Sequence, residues 1–422
     1  MTDFANALAL SETMFDTLRR NADDPPGVTR AAFSAGEDAA HALAADVSRD
    51  MGLTVEHDIA GNQYMVWPGA DRTRPRIMVG SHMDTVAHGG NFDGAAGVVM
   101  GLAAIRALKD RGVMPARDLA VMAIRAEELV WFPTPYCGSR MAFGLLPTAE
   151  YEAVKRSDTG RSLADHMREG GWNPDALAAG ARPLDPARIA AFIESHIEQG
   201  PVLDRAGEAV GIVTGIRGNL RYRHARIDGT WDHAGAVPRE YRHDAVRAGA
   251  AFVTALEAMW DAYDAAGEDF VATIGEFFTD PTMHGMTKIP GLVRFTMDLR
   301  SLDADLLHRT DERLRELAEE ISARYRVAIE IGTPTHAKPA LMDPALVESL
   351  AGAAAARGIA HRRMASGAGH DCATFATQGV PSAMLFVRNQ NGSHNPHEAM
   401  RMDDFAAGIR VLTDALEALV TQ

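Results

Sequence analysis

Cysteine is nearly absent: Cys137 and Cys372 are the two in 422 residues, too few for a disulfide scaffold and suited to a reducing compartment. Basic charge is short as well. With 42 Lys and Arg against 57 Asp and Glu, the chain carries a formal charge of −15, and no basic stripe breaks the acidic sequence. Nucleic acid and anionic membrane are therefore excluded as expected partners. No apolar run is long enough to span a bilayer. Residues 1–6 lack the basic start and apolar stretch of a secretory leader, which makes a cytoplasmic location the expectation. Also missing are a Walker sequence and a full G-x-G-x-x-G at a strand-to-helix junction, so no nucleotide cofactor is expected. The small residues of Gly94-Ala95-Ala96-Gly97-Val98-Val99-Met100-Gly101 fit close helix–sheet packing better than phosphate binding. There is no internal repeat.

What is present is a set of apolar stretches that end in histidines and acids. Residues 76–80 read as a buried parallel strand and run into Gly80-Ser81-His82-Met83-Asp84-Thr85 and then Asn91-Phe92-Asp93-Gly94. Residues 118–125 form a second strand, ending in Glu127-Glu128. A third, residues 189–200, begins apolar and then alternates, which puts Glu194, His196 and Glu198 on one face opposite Ile193 and Ile197. The fourth, residues 383–387, leads into Asn391-Gly392-Ser393-His394-Asn395-Pro396-His397-Glu398. Taken singly, each cluster is as well explained by a solvated turn. Together they point to one site, because the carboxyl edge of an open α/β sheet is where ligands bind. Mixed imidazole and carboxylate ligands suit Zn²⁺, with Mn²⁺, Co²⁺ or Ni²⁺ as substitutes.

At 46% hydrophobic and 422 residues the chain is long enough for two domains. Residues 215–331 differ in organisation. An alternating strand at 220–229, a helix at 244–264, strands at 271–278 and 292–300, a helix at 303–323 and a strand at 327–331 give the βαββαβ order of a ferredoxin-like domain. The expected architecture is α/β: a mostly parallel sheet flanked by helices in residues 1–214 and 332–422, with the ferredoxin-like domain inserted. Residues 21–29 and 156–185 read as the most irregular stretches. The second is an extended Gly/Pro/Ala-containing connection, either an excursion near the site or helical surface decoration.

The order Gly-Ser-His-x-Asp-Thr, Phe-Asp-Gly, Glu-Glu, His-Ile-Glu-Gln-Gly-Pro-Val-Leu, Asp-His-Ala-Gly, Ser-Gly-Ala-Gly-His-Asp, Ser-His-Asn-Pro-x-Glu, running from Gly80 to Glu398, resembles the M20 metallopeptidase-like amidohydrolases. Within them it is most similar to the hydantoinase/carbamoylase branch, which includes N-carbamoyl-L-amino acid hydrolases, allantoate and ureidoglycolate amidohydrolases and β-ureidopropionases. The resemblance implies two divalent metal ions, with His82 and His196 on one, Glu128 and His394 on the other, and Asp93 bridging. It implies Asp84 as the partner of His82 and Glu127 as general base. It makes the inserted domain a cap and dimerisation domain whose His233 and Asn219 act across a homodimer interface, His233 on the developing oxyanion. Arg300 would bind the carboxylate of a small substrate through its planar fork, with Gln199, Asn219, His370 and Gly369 as further substrate contacts.

The implied activity is hydrolysis of a ureido (N-carbamoyl) or related linear amide C–N bond. Two alternatives stand beside it: an N-acyl amino acid amidohydrolase or dipeptidase with the same metals, and a non-catalytic metal-binding relic of the fold. Three departures bear on recognition. The branch usually continues Glu-Glu with Gly-Ser-Arg-Phe, where this chain has Leu129-Val130-Trp131-Phe132; it has Asn219 where Gln is frequent, and Thr287-Lys288-Ile289-Pro290-Gly291 where Asn-Val-Ile-Pro-Gly is usual.

Overall fold

The four apolar stretches become neighbours. In the computed structural model, which describes residues 4–421, Ser382–Val387, Ile189–Ile197, Arg76–His82 and Leu119–Ile124 lie side by side as parallel strands in that order. Residues 1–3, part of the start read above for a leader, lie outside the described residues. The four strands are buried on both faces along nearly their whole length, which is why their sequences are continuous apolar runs and not alternations. Antiparallel strands extend the sheet on both sides, Val210–Ile216 on one and Gln63–Trp67 with Thr54–His57 on the other. With Ala340–Leu341 and His361–Ser366 they complete nine strands.

The helix Ala95–Asp110 packs on Arg76–His82 and Ile189–Ile197. Gly97 explains how close it comes: a Cβ there would collide with the carbonyl oxygen of Ser195 and with the side chain of Ser81. The glycines of this segment therefore serve packing. All four parallel strands point their carboxyl ends to one edge, and the histidines and acids follow from there.

The chain divides into two compact units, Met1–Gly215 with Leu341–Gln422, and Ile216–Ala340. In the second, the antiparallel order is Val271–Thr273, Leu292–Ser301, Gly218–Asp228, Ala328–Glu330. Numbered along the chain that is second, third, first, fourth, the ferredoxin-like arrangement. Leu292–Ser301 alternates between buried and more exposed positions, as its sequence requires of a sheet with one covered face. The helices Ala245–Ala266 and Ala304–Tyr325, capped by Asp244 and Asp303, share a core with the sheet around Tyr222, Phe252, Phe295, Leu299 and Leu314.

The expected irregular stretch at 156–185 contains two short helices and contributes to a core. Leu163–Glu169 starts with a capping box between Ser162 and Asp165, and Pro174–Ala178 starts with Asn173 and a proline in its first turn. Leu163, Met167 and Leu177 are buried in a cluster with Trp131, Phe132 and Cys137. Short helices with strong caps and few apolar positions have too little periodicity to stand out in sequence.

Candidate metal centre

Asp93 is the hinge of the site. Its Oδ1 lies 3.1 Å from His196 Nε2 and 3.7 Å from His82 Nε2, while its Oδ2 lies 3.3 Å from His394 Nε2. Glu128 Oε1 is 3.5 Å from that same His394 nitrogen. One carboxylate therefore faces two groups of donors, His82 with His196 and Glu128 with His394; in each group the donor atoms all lie within 4.8 Å of one another.

The ring nitrogens turned away from these groups have partners. His82 Nδ1 is 3.1 Å from the Asp84 carbonyl and 3.2 Å from its Oδ1, and His196 Nδ1 is 2.9 Å from the Ile197 carbonyl. Such contacts fix the proton on Nδ1 and leave the Nε2 lone pair for a cation. The Gly94 N–H, 3.2 Å from His196 Nε2, points at that lone pair.

Asp84 does more than orient His82. Fully buried, it accepts the backbone N–H of Glu127 at Oδ1 (3.1 Å) and of Glu128 at Oδ2 (3.0 Å). It thereby ties two strand ends together and sets the direction of both glutamates. The turn before them is built by Ala126, whose φ of 53° is unusual for a residue with a Cβ. Its N–H is held by Glu37, which also pairs with the buried Arg125 at 2.9 Å. Gln199 and His394 have positive φ as well, 64° and 58°, so three left-handed non-glycine residues surround one cluster, as strained backbone at functional sites does.

Electrostatics follow from burial. Burial lifts the Glu127 carboxyl well above its ordinary value, with the His82 ring opposing and Glu128 and Asp371 reinforcing. Burial, then Asp93, lifts Glu128 to about 7. For Asp93, burial is outweighed by its contacts with the His196 and His394 rings, and its carboxyl sits well below the usual range. The Asp93 contact, against burial, pushes His394 up to about 9. His82 is raised although burial opposes it, chiefly by Glu127 and Asp84. The cluster is thus organised around positive charge, which protons on imidazoles or bound cations can supply. An N,N,O group beside an N,O,O group fits a borderline divalent metal in each position.

The other candidates divide between the units. Glu194, His196 and Glu198 do not act as one face. Glu194 accepts from Ser81 Oγ and the Cys372 N–H, Glu198 accepts from the Val202 and Leu203 N–H groups at the start of a helix, and His196 alone faces Asp93. Gln199 Nε2 donates to Asp93 Oδ2 at 2.9 Å, and its buried Oε1 has no partner. The His370 ring lies 4.5 Å from that of His196 and contacts Ser366 Oγ. Gly369 has the Tyr136 hydroxyl packed where a side chain would begin. In the second unit Asn219 and Arg300 are direct cross-strand partners. Arg300 holds Asp298 through Nε and Nη2 at 3.0 and 2.8 Å, and Arg221 joins at 3.1 Å. His233 is exposed; its Nδ1 accepts the Gly235 and Ala236 N–H groups, each at 3.1 Å, so its proton resides on Nε2.

Sequence reasoning assigned no role to Glu398 and Ser393. Glu398 accepts the N–H groups of Phe92 and Asp93 (2.9 and 3.3 Å), and Ser393 Oγ contacts both Asp93 Oδ2 (2.5 Å) and Glu398 Oε2 (2.7 Å). A hydroxyl has one proton to give. That proton is shared between two acceptors, Asp93 Oδ2 and Glu398 Oε2, and burial, then Asp93, raises the Glu398 carboxyl. The signal was the Ser-His-Asn-Pro-x-Glu motif itself, whose first and last residues these are. The buried Arg30, donating to the Met83 carbonyl at 2.7 Å and to Asn91 at 3.3 Å, left no sequence signal.

The sequence profile of Peptidase family M20/M25/M40 matches residues 78–418. The chain belongs to this family. The M20 chain is 34% identical over 403 residues to an N-carbamoyl-L-amino-acid amidohydrolase of Paenarthrobacter aurescens, with 95% of each chain covered. It is 34% identical over 374 residues to the allantoate amidohydrolase of Escherichia coli, with 88% of each covered. Among solved structures it is similar to a hydantoinase/carbamoylase family amidase from Burkholderia ambifaria, at TM-score 0.86 and 32% identity over 98% of this chain and 97% of that one. This M20 protein is a hydrolase of C–N bonds from a metal-dependent family, and its two donor groups could hold metal. Among the described residues no helix is long and apolar enough to cross a membrane.

Proposed function

We propose that the protein is a dinuclear metal-dependent amidohydrolase that removes the carbamoyl group from an N-carbamoyl amino acid or a related small ureido carboxylate. The carrying observation is Asp93, whose two oxygens face two separate donor groups, with Glu127 Oε2 only 3.9 Å from the His82 nitrogen on the same side. Bound divalent ions, Zn²⁺ first among them, supply Lewis acidity toward the scissile carbonyl and lower the pKa of water. Glu127, raised by burial, is suited to take a proton from the attacking water and return it to the leaving nitrogen.

The second unit is read as cap and dimerisation domain. Asn219 and Arg300, paired across strands, suit recognition of a substrate carboxylate. His233, with Nε2–H turned outward, suits stabilisation of the oxyanion in a homodimer partner's site. The test is ammonia release from N-carbamoyl L- and D-amino acids, allantoate, ureidoglycolate and β-ureidopropionate by metal-loaded protein, with a chelated control. Chelator-sensitive ammonia from one group is expected. Release of a carboxylic acid from N-acyl amino acids, with no ammonia from the ureido panel, would refute the ureido assignment.

A further inference from the structure

Beside the metal centre lies an open cleft of about 340 Å³ lined by Val86, Ala87, Val130, Trp131, Ser157 and His394. His394 is also a member of the Asp93/Glu128/His394 group, so the cleft opens directly from the candidate centre. Its other walls are mostly apolar side chains, and the two side-chain donors among them are spent elsewhere. Trp131 Nε1 donates to the Thr85 carbonyl at 2.6 Å, so its one side-chain donor is spent. Ser157 uses its hydroxyl proton on the Val130 carbonyl (2.9 Å) and its N–H on the Trp131 carbonyl (2.8 Å).

These two bonds also hold the wall in place. Arg156, 5.9 Å from the Trp131 ring, is occupied with Asp158 and with the carbonyls of Ala32 and Phe33. Val130 is nevertheless 47% exposed. Val130 thus presents its side chain two residues after Glu128, on the wall of the cleft.

We propose that this cleft is the side-chain pocket of the substrate, and that the protein selects N-carbamoyl α-amino acids with branched aliphatic or aromatic side chains, with Val130 and Trp131 as the specificity-determining residues. The inference rests on the ureidohydrolase reading for the scissile group only. The volume is adequate: a cavity of about 150 Å³ lined by apolar side chains holds a benzene ring. Apart from the His394 end, no side chain of the lining carries a charge, and the Ser157 hydroxyl is spent on the Val130 carbonyl. An acidic side chain, or the second ureido arm of allantoate, would lose its hydration there without replacement. The sequence supports the same point, since Val130-Trp131 stands where the resembling branch is polar.

The experiment compares kcat/KM for glycine, leucine, phenylalanine and aspartate derivatives, each as N-carbamoyl and as N-acetyl compound, together with allantoate, in parent, Val130→Asp and Trp131→Phe proteins loaded with metal. The leucine or phenylalanine derivative is expected to exceed the glycine one by at least about 10-fold, the discrimination that a methylene or more in an apolar pocket provides. Val130→Asp is expected to collapse that ratio, and Trp131→Phe, which keeps an aromatic wall, to preserve most of it. A flat series, a preference for aspartate or allantoate, or an unchanged ratio in Val130→Asp overturns the pocket. If only the acetyl series reacts, the ureido reading falls and the pocket is judged on that series by the same ratio. If neither reacts, calorimetric binding of the same compounds supplies the ratio.

Discussion

Replacing Asp84 by Asn tests the way the centre is assembled. The carboxylate meets three partners, the Glu127 N–H at 3.1 Å, the Glu128 N–H at 3.0 Å and His82 Nδ1 at 3.2 Å, and it is fully buried. An amide has one acceptor oxygen and one NH₂. With its oxygen toward Glu128 it presents NH₂ to the Glu127 N–H and to His82; reversed, it presents NH₂ to the Glu128 N–H. Either way a buried donor faces a donor. A hydrogen bond to a charged group is worth about 1.5–3 kcal/mol, and a buried donor left unsatisfied costs a comparable amount. Independently, losing the partner of a metal-ligating histidine costs about 10–100-fold in metal affinity, which is roughly 1.4–2.8 kcal/mol. Both estimates meet near 2 kcal/mol. The expected result is a metal Kd weakened by about 10–100-fold in calorimetric titration. Activity should return substantially when metal is raised to restore occupancy, with a residual loss in kcat from the misdirected Glu127. A metal Kd within about twofold of the parent would refute the argument.

Glu127→Gln keeps the shape of the side chain and removes the base; kcat at saturating metal should fall by about 10²–10⁴ with metal binding retained, and near-parent turnover would remove Glu127 from that role. Chelation should lower thermal stability, and readdition of Zn²⁺ or Mn²⁺ at 100 times its Kd should restore about 2.7 kcal/mol. A melting temperature indifferent to metal would count against a cation in these donor groups.

The strands were legible because burial on both faces writes a continuous apolar run, and the site residues could be nominated because they sit where those runs end. His82 closes one strand, and Glu127 and His394 follow others within a short loop, so a linear reading finds them. The ferredoxin-like order was legible for a related reason: Leu292–Ser301 and Gly218–Asp228 flank helices with strong caps at Asp244 and Asp303. What escaped was contact across distance in sequence. Asp84 reading the N–H groups of residues 43 and 44 places later, or Glu398 reading those of Phe92 and Asp93, leaves no periodicity to detect. The alternation at 194–198 misled for a similar reason. It predicts one shared face, but in a strand buried on both sides each side chain is claimed by whatever packs next to it: Ser81, Asp93 and a helix start, in turn.

The charge of the centre bears on its exchange of protons for cations. Asp84, Asp93, Glu127 and Glu128 are buried or nearly so, and the contacts of His82 and His196 through Nδ1 favour neutral rings with Nε2 open. Burial also pushes Asp371 up to about 8 and raises Glu194 and Glu398, while the buried Arg30 guanidinium adds positive charge near Asp84, Asp93 and Glu398. Buried carboxylates in a medium of low dielectric call for compensating positive charge, because an uncompensated charge there costs several kcal/mol. In the absence of cations the same demand falls on protons, which is the direction in which Glu127, Glu128, His82 and His394 are all displaced. Metal binding at these donor groups should therefore be accompanied by proton release, measurable as a buffer-dependent enthalpy in the titration.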